Sequence, residues 1–449
     1  MKKLFGTDGV RGIANLGLTP ETALALGRAS ATVLGVSQSD TTKRATFIIG
    51  RDTRVSGEML QSALIAGVLS TGVDVIDVGV VSTPAIAWLT QMQGLQAGVV
   101  ISASHNPMQD NGIKFFGHDG YKLPDATELS IESAMEKPLC DHVRPIGAAV
   151  GRLYYKPDLV HLYQLHLLEG KFSLEGYRIV IDCANGAASA LAAWPFEQAG
   201  ACVTLIAHEP DGYNINVDCG STHLDNLRRM MQTGDYDLGL ALDGDADRCL
   251  AVSATGVPVD GDHMLAILAV DMKNKGTLSR NTVVCTVMSN MGFHQAMAHH
   301  EIQSPPAQVG DRYVLEAMRN GGYTLGGEQS GHIIVGSNAT TGDGLLTGLH
   351  LAQCLVSQKK SLDEAAAVMQ RFPQRLENCI VRDKDEALSD TDFIAAQKKV
   401  EEQLAHRGRL LVRPSGTEAL VRITVEAPTQ EEVDASCQYL ASFLQKYRP

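Results

Sequence analysis

Three segments of the chain share one order of elements, and this repetition limits the possible folds more than any other feature. In each, an apolar strand ending in a polar turn leads to a helical stretch and a second strand, then to a third strand that runs into a polar loop. The first copy is TFIIGRDT (46–53), a helical pattern through Leu60, Leu64 and Val68, VDVIDVG (73–79) and AGVVISASHNP (97–107). The second is RIVIDCANG (178–186), ACVTLI (201–206) and YDLGLALDGDAD (236–247); the third is NTVVCTVMSN (281–290), SPPAQVGDRYV (304–314) and GYTLGGEQSGH (322–332). Near-continuous apolar strands alternating with helices indicate sheets covered on both faces. Ligands then bind beyond the carboxyl ends of the strands, so three such domains around one cleft would present three polar loops to one ligand.

The last part of the chain follows another pattern. In GRLLVRPSGTEALVRITVEA (408–427), Val421, Ile423 and Val425 alternate with Arg422, Thr424 and Glu426, as in a half-buried antiparallel strand. The expected fold class is α/β: three similar doubly wound domains with mixed or parallel sheets, plus a smaller C-terminal α+β domain, around a central cleft. The expected boundaries are 1–150, 151–254, 255–369 and 370–449, with a first connection near 140–160, where Pro138, Pro145, Gly147 and Pro157 cluster. A length of 449 residues, more than one core usually sustains, agrees with several domains.

A formal net charge of −13 argues against nucleic acid or an anionic membrane as partner, so an anionic small molecule would need local arginines. Nine cysteines without a C-x-x-C pair read as reduced thiols. MKKLFGTDGV reaches Gly6 and Asp8 before any secretory apolar stretch, and no run of about 18 apolar residues follows. A cytoplasmic protein is expected.

The sharpest local signal is Asp243-Gly244-Asp245-Ala246-Asp247-Arg248. Three carboxylates at alternate positions repel one another by roughly 4 kcal/mol per close pair at an effective dielectric of 20, and a cation relieves them. Oxygen ligands favour Mg²⁺ or Ca²⁺. An EF-hand would need Gly at the sixth position and Glu at the twelfth, where Arg248 and Ala254 stand, so Mg²⁺ fits better. A D-x-D after an apolar strand also suits an aspartyl-phosphate enzyme with Asp243 as nucleophile. That reading leaves unused the loop Ser102-Ala103-Ser104-His105-Asn106-Pro107, in which Ser104 is the candidate phosphoryl carrier.

Lys114 follows this loop and would act as general acid or base if neighbouring cations depress its pKa. His105 is divided between a catalytic role and a loop-stabilising hydrogen bond. Glu328, Gln329, Ser330 and His332 offer the mixture of groups that orients sugar hydroxyls. Arg413-Pro414-Ser415-Gly416-Thr417-Glu418, with Arg422 beyond, suits a phosphate dianion. Arg11, in FGTDGVRG, is another candidate anion contact.

Together, over essentially the whole chain, these loops resemble those of the α-D-phosphohexomutase superfamily. FGTDGVRG, VISASHNP, DNGIKFF, NINVDCGSTH, MSNMG, VGDRYV and TTGDG are most similar to its bacterial amino-sugar branch. The resemblance implies an isomerase that interconverts glucosamine 6-phosphate and glucosamine 1-phosphate, with glucosamine 1,6-bisphosphate as intermediate and primer. Phosphomannomutase or phosphoglucomutase activity, a metal-dependent phosphatase and a silent sugar-phosphate binding protein remain alternatives, and a homodimer is compatible with the resemblance. It further implies a phosphoserine at Ser104 and one Mg²⁺ held by Asp243, Asp245, Asp247 and a phosphoserine oxygen. Sugar contacts would come from Glu328 and Ser330, and phosphate contacts from Arg413, Ser415, Gly416, Thr417 and Arg422. Lys114, His105 and His332 become candidates for proton transfer or electrostatic assistance, and Arg248 and Gly310-Asp311-Arg312 would line the cleft. Ala246 departs from the usual Gly of the metal loop, and Ala419 from the usual Pro after S-G-T-E. A positive φ at Ala246 would cost on the order of 1 kcal/mol.

Overall fold

The computed structural model describes residues 4–6, 8–35, 44–136, 144–415 and 419–448, apart from the side chain of His406. They form two compact units, one running to Met288 and including Glu301–Val368, the other made of Ser289–His300 and the chain from Met369 onward.

In the first unit, β1 (Val10–Ile13), β2 (Thr46–Arg51), β3 (Asp74–Val80), β4 (Ala97–Ile101), β5 (Asp110–Gly117) and β6 (Leu153–Tyr155) form one sheet in the order β1-β5-β4-β2-β3-β6. Phe47, Ile48 and Ile49 on β2 are fully buried, as expected of a central strand with both faces covered. Helices Pro20–Leu34 and Ser56–Leu69 cross at two glycines: a Cβ on Gly27 would lie 2.2 Å from the Leu64 carbonyl oxygen, and one on Gly67 2.2 Å from that of Leu24. Only glycine lets these backbones touch.

A second sheet contains β7 (Arg178–Asp182), β8 (Cys202–Ile206), β9 (Leu238–Leu242), β10 (Cys249–Ser253) and β11 (Pro258–Val259), ordered β11-β10-β9-β7-β8. The third region is built from short pieces, β12 (Cys285–Thr286) with β13 (Pro306–Ala307) and β14 (Leu325–Gly327) with β15 (Ile333–Val335), joined by a parallel bridge between Val284 and Gly326.

One pairing scheme runs through all three. The first strand of each repeat pairs in parallel with the second on one side and the third on the other, and a fourth strand pairs antiparallel with the third. The three polar loops are therefore equivalent hairpin connections, between β4 and β5, β9 and β10, and β14 and β15. The sequence pattern reached the first three strands of each copy but not the fourth. Among the described residues no helix is long and apolar enough to cross a membrane.

The second unit carries β16 (Gln374–Ile380), β17 (Arg409–Pro414) and β18 (Leu420–Glu426) in an antiparallel sheet ordered β16-β18-β17. Val421, Ile423 and Val425 pack with Phe393, Val400, Val433 and Leu440 of the helices Thr391–Leu404 and Gln430–Leu444. The expectation of a half-buried strand needs correction, because Thr424 and Glu426 on the opposite face are also buried. Glu426 accepts the Met291 N–H at 2.7 Å and pairs with Arg409 at 2.5 Å, which brings helix Met291–His299 into this unit. Asn290 secures the same helix: its side chain caps Gly292 N at 3.0 Å, accepts Phe372 N at 2.9 Å and donates to Phe372 O at 3.1 Å.

Replacing Glu426 with Ala leaves the Met291 amide without its acceptor and removes one ion pair from Arg409, so the second unit should lose about 1–3 kcal/mol. Faster hydrogen exchange at Met291 and an earlier denaturant transition are the expected readings; unchanged exchange there would contradict this account of the helix.

Candidate active site

Ser104 lies in the first hairpin loop, 1 % exposed, with φ of +53°. Its N–H donates to Ser102 Oγ at 2.9 Å, and Ser102 Oγ donates to Asp52 at 2.6 Å. Asp52 is also held by the Arg54 backbone N–H and Nε, both at 2.9 Å. The Ser104 hydroxyl points to the second hairpin, donating to Asp243 Oδ2 at 2.5 Å. Two groups 139 residues apart are thus in direct contact.

Asp243, Asp245 and Asp247 are buried, and one oxygen from each lies within 4.8 Å of the others. Ala246 turns the chain between the last two with φ of +57°, the left-handed conformation that the missing glycine would take more easily. Two carboxylate oxygens, Asp245 Oδ1 and Asp247 Oδ1, are buried with no hydrogen-bond partner. Orphaned carboxylate oxygens in an oxygen-only donor set fit a hard divalent cation. In the metal-free protein the three carboxylates cannot all ionise cheaply: burial, then the charges of Asp247 and Asp245, push Asp243 up to about 8.

Lys114, on the strand after the serine loop, is 1 % exposed and contacts Asp245 at 2.8 Å, Asp8 at 3.0 Å and Asp247 at 3.3 Å. The expectation that neighbouring cations depress it is reversed. Burial works against its charge, but Asp245, Asp8 and Asp247 more than offset that, and its pKa lies well above the ordinary lysine value. On Asp247, burial opposes ionisation and Lys114, His332 and Arg248 override it. Asp8 also pairs with Arg11 and Lys122, and Lys122 reaches Asp311.

The third hairpin loop supplies Glu328, Ser330 and His332. Gly331, at φ of +90°, sits where a Cβ would lie 2.4 Å from the Cys249 carbonyl oxygen, so the loop rests directly on β10. Glu328 accepts the Gly310 N–H at 3.1 Å, and Ser330 is half-buried at the tip. His332 stands 3.7 Å from both Asp247 and Asp311 and accepts the Gly342 N–H at Nε2. Burial opposes its charge, yet the nearby charges of Asp247 and Asp311 raise its pKa. His105 behaves oppositely: burial first, then Arg248 and Arg11, lower it to about 4. It is neutral near pH 7, with Nδ1 3.4 Å from Ser104 Oγ.

Arg312 is engaged elsewhere. It pairs with Asp125 and with Glu128 at 2.6 Å on the first repeat, which leaves Asp311, rather than Arg312, facing the cluster. In the second unit, Arg413 and Arg422 stand directly opposite each other on β17 and β18, an arrangement of like charges that an anion would stabilise. Burial and Arg422 lower the pKa of Arg413, whose Nε is buried without a partner. Ser415 is buried, and its carbonyl accepts from Lys384 Nζ at 2.7 Å. Gly416 and Thr417 lie outside the described residues.

Several close neighbours of the cluster were not singled out from sequence. Thr83 Oγ1 donates to Asp245 Oδ2 at 2.5 Å and its N–H to the Asp245 carbonyl at 3.0 Å, from a serine-threonine helix start that reads as ordinary capping. Asp8 lay inside a motif read only for Arg11, and Arg54 inside the turn GRDTR, whose second arginine was the available signal.

Profiles of the phosphoglucomutase/phosphomannomutase family match α/β/α domain I at residues 2–139, domain II at 161–256, domain III at 260–372 and the C-terminal domain at 376–442. A phosphoglucosamine mutase of Saccharopolyspora erythraea is 52% identical over 431 residues, 96% of each chain. One of Moorella thermoacetica is 50% identical over 449 residues, 99% of this chain and 100% of its own. Among solved structures, a phosphoglucomutase/phosphomannomutase family protein of Burkholderia thailandensis superposes with a TM-score of 0.83 at 22% identity, covering 100% of this chain and 98% of that one.

The proton on Asp243 sets a pH dependence. Its folded pKa lies above the ordinary carboxylate value, so the contribution of this group to the stability of the metal-free chain is fully present at low pH and is lost as pH rises from about 4 to about 8. A divalent cation needs the ionised carboxylate and expels the proton. The thermal stabilisation given by Mg²⁺ should therefore be larger near pH 8 than near pH 6, and calorimetry near pH 7 should read release of about one proton per ion. Equal stabilisation at both pH values would contradict this.

Proposed function

Because the chain belongs to the phosphoglucomutase/phosphomannomutase family, we propose that it is a phosphoglucosamine mutase, interconverting glucosamine 6-phosphate and glucosamine 1-phosphate. The observation that carries this reading is the Ser104 hydroxyl at 2.5 Å from a buried carboxylate whose two companions have orphaned oxygens. A serine so placed can carry a phosphoryl group, since the cation that the carboxylates call for would lie beside its oxygen.

Phospho-Ser104 gives its phosphoryl group to O1 of glucosamine 6-phosphate: the P–O1 bond forms, the bond from phosphorus to Ser104 Oγ breaks, the O1 proton passes to a nearby acceptor and the departing Oγ gains a proton to become the serine hydroxyl. The resulting 1,6-bisphosphate turns end for end. Ser104 Oγ then gives up its proton and takes the 6-phosphoryl group as the P–O6 bond breaks and O6 gains a proton, restoring the phosphoserine and releasing glucosamine 1-phosphate. Mg²⁺, one per chain, is the cation we assign to Asp243, Asp245, Asp247 and a phosphoserine oxygen; when bound it supplies charge stabilisation to the transferring group.

The chain's own residues have separate tasks in this scheme. Neutral His105, with Nδ1 3.4 Å from Oγ, is the acceptor for the Ser104 proton on the return step, while Asp243 stays ionised as a holder of the cation. Lys114, held charged, keeps Asp245 and Asp247 in place rather than serving as a base. Arg11 and Arg248, whose charges both reach His105, meet the phosphoryl oxygens. Glu328 and Ser330 orient sugar hydroxyls, with Asp311 and His332 beside them. Arg413, Ser415, Gly416, Thr417 and Arg422 hold the phosphate that is not reacting. A cytoplasmic setting goes with this reading, as do the free cysteines among the described residues.

Ser104→Ala should lower mutase turnover by roughly 10³-fold or more while leaving the fold intact. Glucosamine 6-phosphate should turn over faster than mannose or glucose 6-phosphate in side-by-side assays. Near-normal activity of the Ser104→Ala protein, or a hydroxylamine-labile acyl phosphate on Asp243 in its place, would overturn the serine carrier.

A further inference from the structure

Ser104 holds a backbone conformation that L-residues disfavour. Something must hold it there, and the surroundings of its carbonyl show what does. The oxygen accepts two hydrogen bonds, from Arg54 Nη2 at 2.9 Å and from Asn216 Nδ2 at 2.9 Å. The same two donors reach the Asn106 carbonyl, at 2.8 and 3.2 Å. Both partners of the Asn216 amide are carbonyl oxygens, so its nitrogen end must face them.

Arg54 belongs to the first repeat and is anchored by Asp52, both fully buried. Asn216 belongs to the second. It is 7 % exposed, lies at φ of +60°, and its own N–H is held by the Ala184 carbonyl at 2.9 Å. The metal loop closes the third side: a Cβ on Gly244 would lie 2.6 Å from the Ser104 oxygen and 3.0 Å from Asn216 Nδ2. The Ser104 carbonyl is therefore fixed by the first repeat and gripped by the second, against the loop whose carboxylate its hydroxyl meets.

We propose that Asn216 is a positioning residue for phosphoryl transfer, holding the Ser104 backbone in its left-handed conformation so that Oγ is aimed at Asp243. This rests on the reading of Ser104 as the phosphoryl carrier. Asn216 contacts backbone oxygens of the serine loop, so it acts on the reacting oxygen through Ser104. Its loss should therefore fall on kcat and not on KM, because a small misplacement of a reacting atom is costly to transfer and nearly silent in binding. Arg54 shares the grip but is a poor test, since removing it strands the buried Asp52 charge.

The experiment compares full-length wild type, Asn216→Ala and Asn216→Asp, the last isosteric but offering the carbonyls an acceptor in place of a donor. kcat and KM for glucosamine 6-phosphate, Tm, and the ³¹P resonance of phosphorylated Ser104 are measured on each. A fall in kcat of about 10–100-fold with KM within about twofold is expected, at least as large for Asp as for Ala, with a displaced ³¹P resonance. Turnover within about twofold of wild type in both variants overturns the proposal. So does a loss carried by KM, or one that tracks unfolding while the resonance of the folded fraction stays in place. Ser104→Ala distinguishes the two levels: if it turns over, the carrier reading fails, whereas if it is dead and Asn216→Ala is normal, only the positioning role fails.

Discussion

Three carboxylates enclosed where water cannot reach them set the terms for everything nearby. Asp243, Asp245 and Asp247 lie within one ion's reach of one another, and each has been given a different answer to its charge. Asp247 is kept ionised by Lys114, His332 and Arg248; Asp245 receives Lys114 and Thr83; Asp243, pushed up to about 8 by burial and its two neighbours, faces the Ser104 hydroxyl. The cost of such burial is large enough that the arrangement makes sense only if a cation can replace these partial remedies. The serine sits where that cation would be shared.

The repeat explains how residues so far apart in sequence meet. In all three copies the hairpin between the third and fourth strands carries proposed functional groups, and these differ from copy to copy: a hydroxyl in the first, carboxylates in the second, a carboxylate, hydroxyl and imidazole in the third. Some contacts between copies are made by backbone at close range. Gly244 lies against the Ser104 carbonyl and Gly331 against that of Cys249, and long side chains such as Lys114, Lys122 and Arg312 add charged contacts from one copy to the next.

Much of this could be read from residue order. The three strand-and-loop units, the carboxylate spacing and the serine loop are local patterns with a physical meaning, and they led to the right architecture. What stayed hidden was contact across the fold. Lys114 was read as a base awaiting cations, because nothing in Asn-Gly-Ile-Lys reveals that Asp8 and Asp245 will flank it. Arg312 looked like a cleft arginine until Asp125 and Glu128 were found to hold it. Glu426 followed a strict alternation that predicted exposure, but a helix from residues 291–299, distant in sequence, covers that face. Short strands such as β12 and β13, two residues each, also give almost no periodicity to detect.

The central claim is that the serine oxygen and the aspartate cluster make one site for a phosphoryl group and a divalent ion. Substituting Mn²⁺ into the phosphorylated full-length protein and recording ³¹P electron–nuclear double resonance tests it directly. A strong ³¹P coupling, of the size given by a phosphoryl oxygen bound to the metal and lost in Ser104→Ala, is the result the account predicts. Bound Mn²⁺ without coupling to the Ser104 phosphorus would contradict it.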